Sequence, residues 1–368
     1  MATGLSRVSA AFDPEKTRKR AYDSEAFDAS RIRRYLFRPG DVRWCYYTAV
    51  PGVWKRHRPD LWQQAQYGDA LILSRRTRVA DPEGVPFLYT TNLLARDCMR
   101  GHACAMPFSL RVATPPRPEN ALPGMGGELA KTKANLSPAA RAYLASLDLP
   151  DPDTDRATAA APWYHTLAIG YAPSYLAENA DGVRQDWPRI PLPAAKDRLA
   201  ASAALGRQVA ALLDTEAPVV GVTTGNIRED LRGIAVFQRV DGKPAQPGRG
   251  DLDLTAGWGH AGKGGATMPG RGKLVRRDDG AYDVYLNDVA CWRNVPEAVW
   301  EYTIGGYQVT KKWLSYREKP LLGRSLSPDE VRYVTEMARR LAALVAMQPQ
   351  LDDNYRDTIA ATYAWPSG

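Results

Sequence analysis

The chain has 368 residues, 44% of them hydrophobic and 24% charged, enough for one large domain or two modest ones. That balance excludes disordered, collagenous and coiled-coil proteins. No run approaches the ~18 uninterrupted apolar residues of a membrane-spanning helix, and Asp13, Glu15, Lys16, Arg18, Lys19 and Arg20 follow no apolar signal region. With four scattered cysteines that read as free thiols (Cys45, Cys98, Cys104, Cys291), the expectation is a cytoplasmic protein with no membrane partner.

Charge is unevenly spread. The 49 Lys and Arg exceed the 41 Asp and Glu by 8, and residues 1–78 alone hold 16 basic against 8 acidic side chains. The other 290 residues are therefore neutral, 33 against 33. Within them Lys263, Arg271, Lys273, Arg276 and Arg277 occur with no acid between residues 260 and 277, and Lys311, Lys312, Arg317, Lys319 and Arg324 are offset only by Glu318. Such clusters suit a polyanion, because each phosphate contact releases condensed counterions; a merely solvated basic face is the plainer alternative.

Residues 1–35 alternate charged and small side chains, apart from Phe12, Tyr22 and Phe27, and read as a basic extended or helical lead-in outside any core. From Leu36 the texture changes to aromatic and β-branched runs, Arg43–Ala49, Ala70–Ser74, Pro86–Thr90 and Phe108–Val112, divided by Pro, Gly and Asp. They predict a sheet-containing first lobe over 36–150. A Pro- and Gly-rich connection across Ala113–Pro162 is interrupted by a helix starting at Ser137-Pro138, with Ser as cap and Pro in first position. The second lobe, 151–368, opens with Trp163–Tyr175 and the loop Trp187–Pro191. A helix over about Ala194–Leu213 follows, marked by Leu199, Val209, Leu212 and Leu213. Strands and turns dominate 221–290, where Leu274–Arg277 and Tyr282–Leu286 flank Asp279-Gly280 as a hairpin. Ser327-Pro328-Asp329-Glu330 combines an N-cap, a first-position Pro and a capping-box Glu ahead of Val331, Val334, Ala338, Leu341 and Val345 at helical spacing. The predicted fold class is α+β: two mixed lobes with short sheets, a long C-terminal helix and no Rossmann-type methyltransferase core.

Candidate chemistry is sparse. Gly257–Gly264 nearly matches the nucleotide-binding pattern G-x-x-x-x-G-K-[ST], but Gly264 replaces the magnesium-binding hydroxyl and no helix can open after it; a flexible basic loop is expected. Asp230 with Asp241-Gly242-Lys243 matches the carboxylates and Lys of metal-dependent nucleases, yet Asp241-Gly242 is also the turn required after Val236–Val240, which is favoured. Cys98, His102 and Cys104 offer soft ligands without a recognisable fourth, so core thiols and a surface His are expected over zinc. His57, His102, His165 and His260 fall in no nucleophile elbow or metalloprotease helix, and neither a glycine-rich S-adenosylmethionine turn nor an Asn-Pro-Pro-aromatic tetrapeptide is present. No catalytic residue and no metal site is assigned to this chain.

Four segments, in order, carry a family resemblance. Phe37-Arg38-Pro39-Gly40-Asp41-Val42-Arg43-Trp44-Cys45-Tyr46-Tyr47 is similar to an aromatic-R-P-F-D-x-R-x-x-Y-Y motif, and Met106–Leu110 is a weaker echo of F-P-L-Y-L. Tyr164–Tyr175 with Trp187–Pro193 is similar to Y-x-x-[AL]-x-x-S-P-x-Y followed by F-P-R-I-P-L-P. Ile304–Arg317 is close to I-G-G-Y-Q-V-L-x-K-W-L-x-x-R. Together, over about residues 30–355, they resemble the C-terminal target-recognition (specificity) domain of Type ISP restriction-modification enzymes and related adenine-specific DNA methyltransferases. Gly40 departs from the family's Phe and Leu176 from an Arg usual after the Tyr. Family members place helicase-like and methyltransferase domains ahead of this region, so an excised domain or a separate specificity part is expected.

The resemblance implies sequence-specific binding of double-stranded DNA, restriction-modification and phage defence, and a partner methyltransferase or helicase–nuclease module, in cis or trans, that uses S-adenosylmethionine. Readout needs cations on phosphates and side chains at base edges. Candidates are Arg38, Arg43, Lys55, Arg56, Arg58, Arg75, Arg76 and Arg78 in the first lobe, and Arg189, Lys263, Arg271, Lys273, Tyr307, Gln308, Lys311, Lys312 and Arg317 in the second. Structural alternatives stand beside them: an Asp41–Arg43 ion pair, a packed Gly305-Gly306-Tyr307 turn, and a rigid Pro188–Pro193 linker. Two other function classes remain open at this point, a metal-dependent nuclease using Asp230, Asp241 and Lys243, and a general nucleic-acid-binding protein without modification function, with RNA among its candidate ligands.

Overall fold

The structure, a computed structural model, describes residues 14–48, 61, 69–75, 79, 83–111, 132–263 and 266–365. The lead-in forms helix α1 (Pro14–Ser24), after which β1 (Ile32–Arg38) and β2 (Asp41–Tyr46) pair antiparallel. β1 thus starts within the segment read as lead-in. Gly40 makes the turn at φ +65°, and a Cβ there would lie 2.9 Å from Met337 Sδ and 3.0 Å from Val309 Cγ1. The departure from the family's Phe therefore has a steric reason: a left-handed backbone pressed against two other elements.

β3 (Leu71–Arg75) is buried along its length and pairs antiparallel with both β4 (Leu88–Thr90) and β6 (Ala103–Pro107), while β5 (Leu93–Leu94) joins β1 in parallel. β7 (Ser109–Arg111) pairs with β8 (Thr132–Ala134). Helix α2 (Pro138–Ser146) begins as predicted, with the Ser137 hydroxyl accepting from Ala140 N and Pro138 first. Then come α3 (Arg156–Gly170), α4 (Pro173–Glu178), α5 (Ala180–Gln185) and α6 (Lys196–Leu213). α3 and α6 pack so closely that a Cβ on Gly206 would sit 1.7 Å from the Tyr164 carbonyl oxygen. Across that contact His165, fully buried, donates from Nε2 to the Pro191 carbonyl, so its Nδ1 accepts from the Ser202 hydroxyl at 2.7 Å.

The remaining elements are α7 (Glu229–Arg232), β9 (Val236–Arg239), a two-stranded ribbon β10 (Gly259–Ala261) and β11 (Thr267–Pro269), then β12 (Leu274–Arg276), β13 (Tyr282–Tyr285) and β14 (Ala290–Val295). β12, β13, β14 and β9, in that order, form an antiparallel sheet. Its β12–β13 hairpin turns at Asp279-Gly280 as the sequence requires, with Gly280 at φ +84°. Asp241-Gly242 is likewise a turn, the Asp241 carboxylate accepting from Lys243 N at 3.1 Å. The reading of residues 257–264 as a flexible loop is corrected: residues 259–261 are a strand whose partner, 267–269, holds it in a ladder.

α8 (Glu297–Trp300), the short pair β15 (Thr303–Ile304) and β16 (Tyr307–Gln308), α9 (Val309–Ser315) and α10 (Lys319–Leu322) lead to α11 (Pro328–Ala360). α11 carries the full Ser327/Glu330 capping box and buries Val331, Val334, Ala338 and Leu341. One apolar cluster runs from Leu36 through Trp292 and Trp313 to Tyr355; a smaller one joins Tyr143, Leu144, Leu147, Ala161, Leu199 and Ala203. The α+β class with short sheets and a long terminal helix is as predicted. Among the described residues no helix is long and apolar enough to cross a membrane.

Burial lowers the His165 pKa to about 4, against an ordinary 6.5, while the Pro191 carbonyl acts in the opposite direction. The folded state thus disfavours the proton that the unfolded chain accepts below pH 6.5, so stability falls as pH drops from about 6.5 toward 4. Chemical denaturation across this range is expected to show that loss in wild type and a shallower one in His165→Gln.

Candidate nucleic-acid interface

The site is built around a buried carboxylate. Asp41, first residue of β2, has no exposed surface and accepts from Arg43 Nη2 at 2.6 Å and from Arg317 Nη2 at 2.7 Å. Burial alone would raise its pKa, but Arg317 and Arg43 together hold the carboxyl well below the usual range. Arg317 lies 3.7 Å over the Trp313 ring and donates to the Trp313 carbonyl at 3.2 Å. The motif at 37–47 and the motif at 304–317 are therefore one structural unit.

That unit sets three cations around two tyrosines. Arg38 (β1) lies 5.3 Å from the Tyr307 ring centre, Arg100 (loop before β6) 5.4 Å and Lys312 (α9) 5.3 Å, with Lys312 also 4.7 Å from Tyr316. Phe37 packs edge-on against Tyr316 at 5.0 Å, and Arg38 and Arg43 cover its faces at 4.2 and 4.1 Å. Arg100 reaches the site because Arg100 N donates to the Gly305 carbonyl at 2.8 Å, and a Cβ on Gly306 would stand 2.6 Å from Arg100 Cδ. Glycines at 305 and 306 thus allow the loop and the β15–β16 turn to touch.

The cations are crowded. Asp97 pairs with His102 at 2.8 Å and Asp41 with its two arginines; among the described residues Arg38, Arg100 and Lys312 have no carboxylate partner. Arg38 donates from Nη1 to the Phe37 carbonyl at 2.6 Å, while its Nε is buried without a hydrogen-bond partner. Partial burial first, then repulsion from Arg38 and Arg100, lowers the Lys312 ammonium from 10.5 to about 8. An anion entering here would relieve like-charge repulsion and find several charge-assisted donors.

The other sequence candidates are dispersed. Arg75 is buried, pairs with Glu83 at 2.5 Å and reaches the Val183 carbonyl, and Gln308 donates to the Trp300 carbonyl at 2.7 Å. These two, with Arg317 and Arg43, are tied into the fold. Tyr307 is half-buried, as a packed turn requires, and forms the cluster's wall. Arg189 is 91% exposed beside Asp186, Lys311 is half-buried, and Lys273 pairs with Asp288 at 2.9 Å. Lys263 and Arg271 are exposed on the ribbon. Lys55, Arg56, Arg58, Arg76 and Arg78 lie outside the described residues. Arg100 was not among the candidates: it lies within Cys98–Cys104, where the soft ligands drew notice, and only the fold brings it to Tyr307. Cys98 is buried and Cys104 half-buried, and among the described residues no three His, Cys, Asp or Glu side chains converge. Asp230 pairs with Arg228 at 2.9 Å, and Asp241 with Arg239 at 3.2 Å.

A sequence profile described as the Type ISP C-terminal specificity domain matches residues 6–342, and the chain belongs to that family. Solved structures with the same fold include the DrdV–DNA complex (TM-score 0.58, 16% identity, 92% of this chain and 29% of that one). A nuclease-deletion mutant of the Type ISP restriction-modification enzyme LlaGI with a DNA substrate mimic gives a TM-score of 0.53 at 15% identity over 90% of this chain and 25% of that one. The ATP-dependent Type ISP enzyme LlaBIII bound to DNA gives 0.55 at 14% over 92% of this chain and 19% of that one. The chain thus spans less than a third of the length of each of these matched chains. No curated protein matches it.

The Lys312 amine is expected to titrate near pH 8, as read by NMR of reductively methylated lysines. Arg38→Ala should move that titration upward by removing a like charge; a Lys312 signal that stays at the ordinary lysine value in wild type would show that the crowding does not exist.

Proposed function

We propose that this specificity domain recognises a target sequence in duplex DNA and directs a catalytic module outside this chain to it. The observation that carries this reading is the Arg38–Arg100–Lys312 group, three cations against Tyr307 and Tyr316 with no carboxylate partner among the described residues. Such an arrangement suits a phosphate of the DNA backbone. The module we propose is an adenine methyltransferase using S-adenosylmethionine, within a restriction-modification system acting against phage DNA. Family membership supports this reading, as do the DNA complexes of DrdV, LlaGI and LlaBIII. The nuclease alternative is weaker, because Asp230 and Asp241 are each engaged by an arginine of their own segment.

Each phosphate contact steepens the salt dependence of log affinity by roughly 0.9. Duplex binding is therefore expected to weaken steeply between low and moderate salt, and Lys312→Gln to reduce the slope by about one contact while weakening all sequences alike. Salt-independent binding, or a preference for single strands, would contradict the proposal. The purified chain should neither transfer label from S-adenosylmethionine nor cut DNA with magnesium; methyl transfer that appears only on adding a partner methyltransferase is the supporting result.

A further inference from the structure

We infer that the ribbon β10–β11 is the element that enters the major groove, with His260 and Met268 facing base edges and Arg271 flanking them; this rests on the duplex-DNA reading above. The ribbon is a sheet of its own, separate from the four-stranded β12–β13–β14–β9 sheet, with Gly259 opposite Pro269, His260 opposite Met268 and Ala261 opposite Thr267. A groove about 12 Å wide admits such a two-stranded ribbon.

Its base is fixed rigidly to the cation cluster's own helix. A Cβ on Gly259 would lie 1.9 Å from the Ser315 carbonyl oxygen, so the ribbon is pressed on the end of α9 at this residue, while Ala261 and Pro269 are exposed. Trp258 is fully buried, donates from its indole to the Tyr285 carbonyl at 2.8 Å and from its backbone to Glu318 at 2.5 Å. The two chain segments close beneath it through Gly270 N to the Trp258 carbonyl at 2.6 Å and Gly272 N to the Gly257 carbonyl at 3.0 Å. A Cβ on Gly270 would stand 2.0 Å from the Gly257 carbonyl oxygen, and one on Gly272 2.0 Å from the Trp258 ring. Glycines are needed at 259, 270 and 272 for the ribbon to seat.

Alternation along the strand sets His260 on the face opposite Gly259, and Met268 lies directly across from His260, 47% exposed. The pair couples a hydrogen-bonding ring with an apolar side chain, suited to a purine edge and a thymine methyl. Charge favours the same occupant. No Asp or Glu occurs from residue 254 to 277, and among the described residues neither Lys263 nor Arg271 has an ionic partner, unlike Lys273, Arg276 and Arg277. The cluster around Lys312 of α9 would hold the backbone and so set the register in which the ribbon meets the bases.

Selection of bound duplexes from a random-sequence library, with the full chain, tests this. His260→Ala, Met268→Ala and Arg271→Ala change exposed side chains, and unchanged thermal melting verifies their folding. The expected result is a loss of about tenfold in discrimination at particular base positions, with affinity for a scrambled duplex held within about twofold. Lys312→Gln, by contrast, should weaken every duplex and leave the selected sequence intact. If the three ribbon variants return the wild-type sequence while the wild type selects one, the ribbon inference is overturned and the DNA reading stands. If the wild type binds no duplex, or enriches no sequence, both fall.

Discussion

A carboxylate with no access to water sits between two guanidinium groups that are 274 positions apart in the chain, Arg43 and Arg317. Removing a carboxylate from water costs several kcal/mol, which only close, hydrogen-bonded opposite charges offset. Asp41 has both, and the geometry of its surroundings follows from them. The Gly40 turn is drawn against Val309 and Met337, and Tyr333 of α11 donates to the Gly40 carbonyl at 2.6 Å. β1 is thereby laid beside α9, which is what brings Arg38 near Lys312.

The same interaction separates two kinds of cation. Arg43 and Arg317 have their countercharge inside the protein, whereas among the described residues Arg38, Arg100 and Lys312 gather around two tyrosines without one. A protein that wanted only stability would neutralise such a group, since repulsion and desolvation both act against it. The pocket is held together regardless by backbone contacts, Arg100 N to Gly305 and Gly306 N to the Glu83 carbonyl at 2.7 Å, that do not depend on charge. Its unfavourable electrostatics are available to an incoming anion as binding free energy.

What the sequence made legible is what depends on neighbours along the chain. The capping box at Ser327, the Ser137 cap and the Asp279-Gly280 hairpin are each specified within a few residues, and each stands where expected. The Asp41–Arg43 pair was visible at two-residue spacing, but Arg317 as its second partner was not, because no local pattern encodes a contact over that distance. Arg75 read as a surface cation since the run Arg75-Arg76-Arg78 is basic; in the fold it is buried against Glu83 and the Val183 carbonyl, the latter 108 positions away in the chain. The 257–272 glycines suggested mobility by composition alone. In the fold, those at 259, 270 and 272 are close-approach positions, and the segment they seat is a ribbon.

The most direct test is a structure of the chain bound to a duplex carrying its selected sequence. The expected result is a backbone phosphate within ion-pairing reach of Lys312, Arg38 and Arg100, on the same side of the molecule as a groove-inserted β10–β11 ribbon. A duplex seated on another face, with the Tyr307 pocket open to solvent, would contradict it.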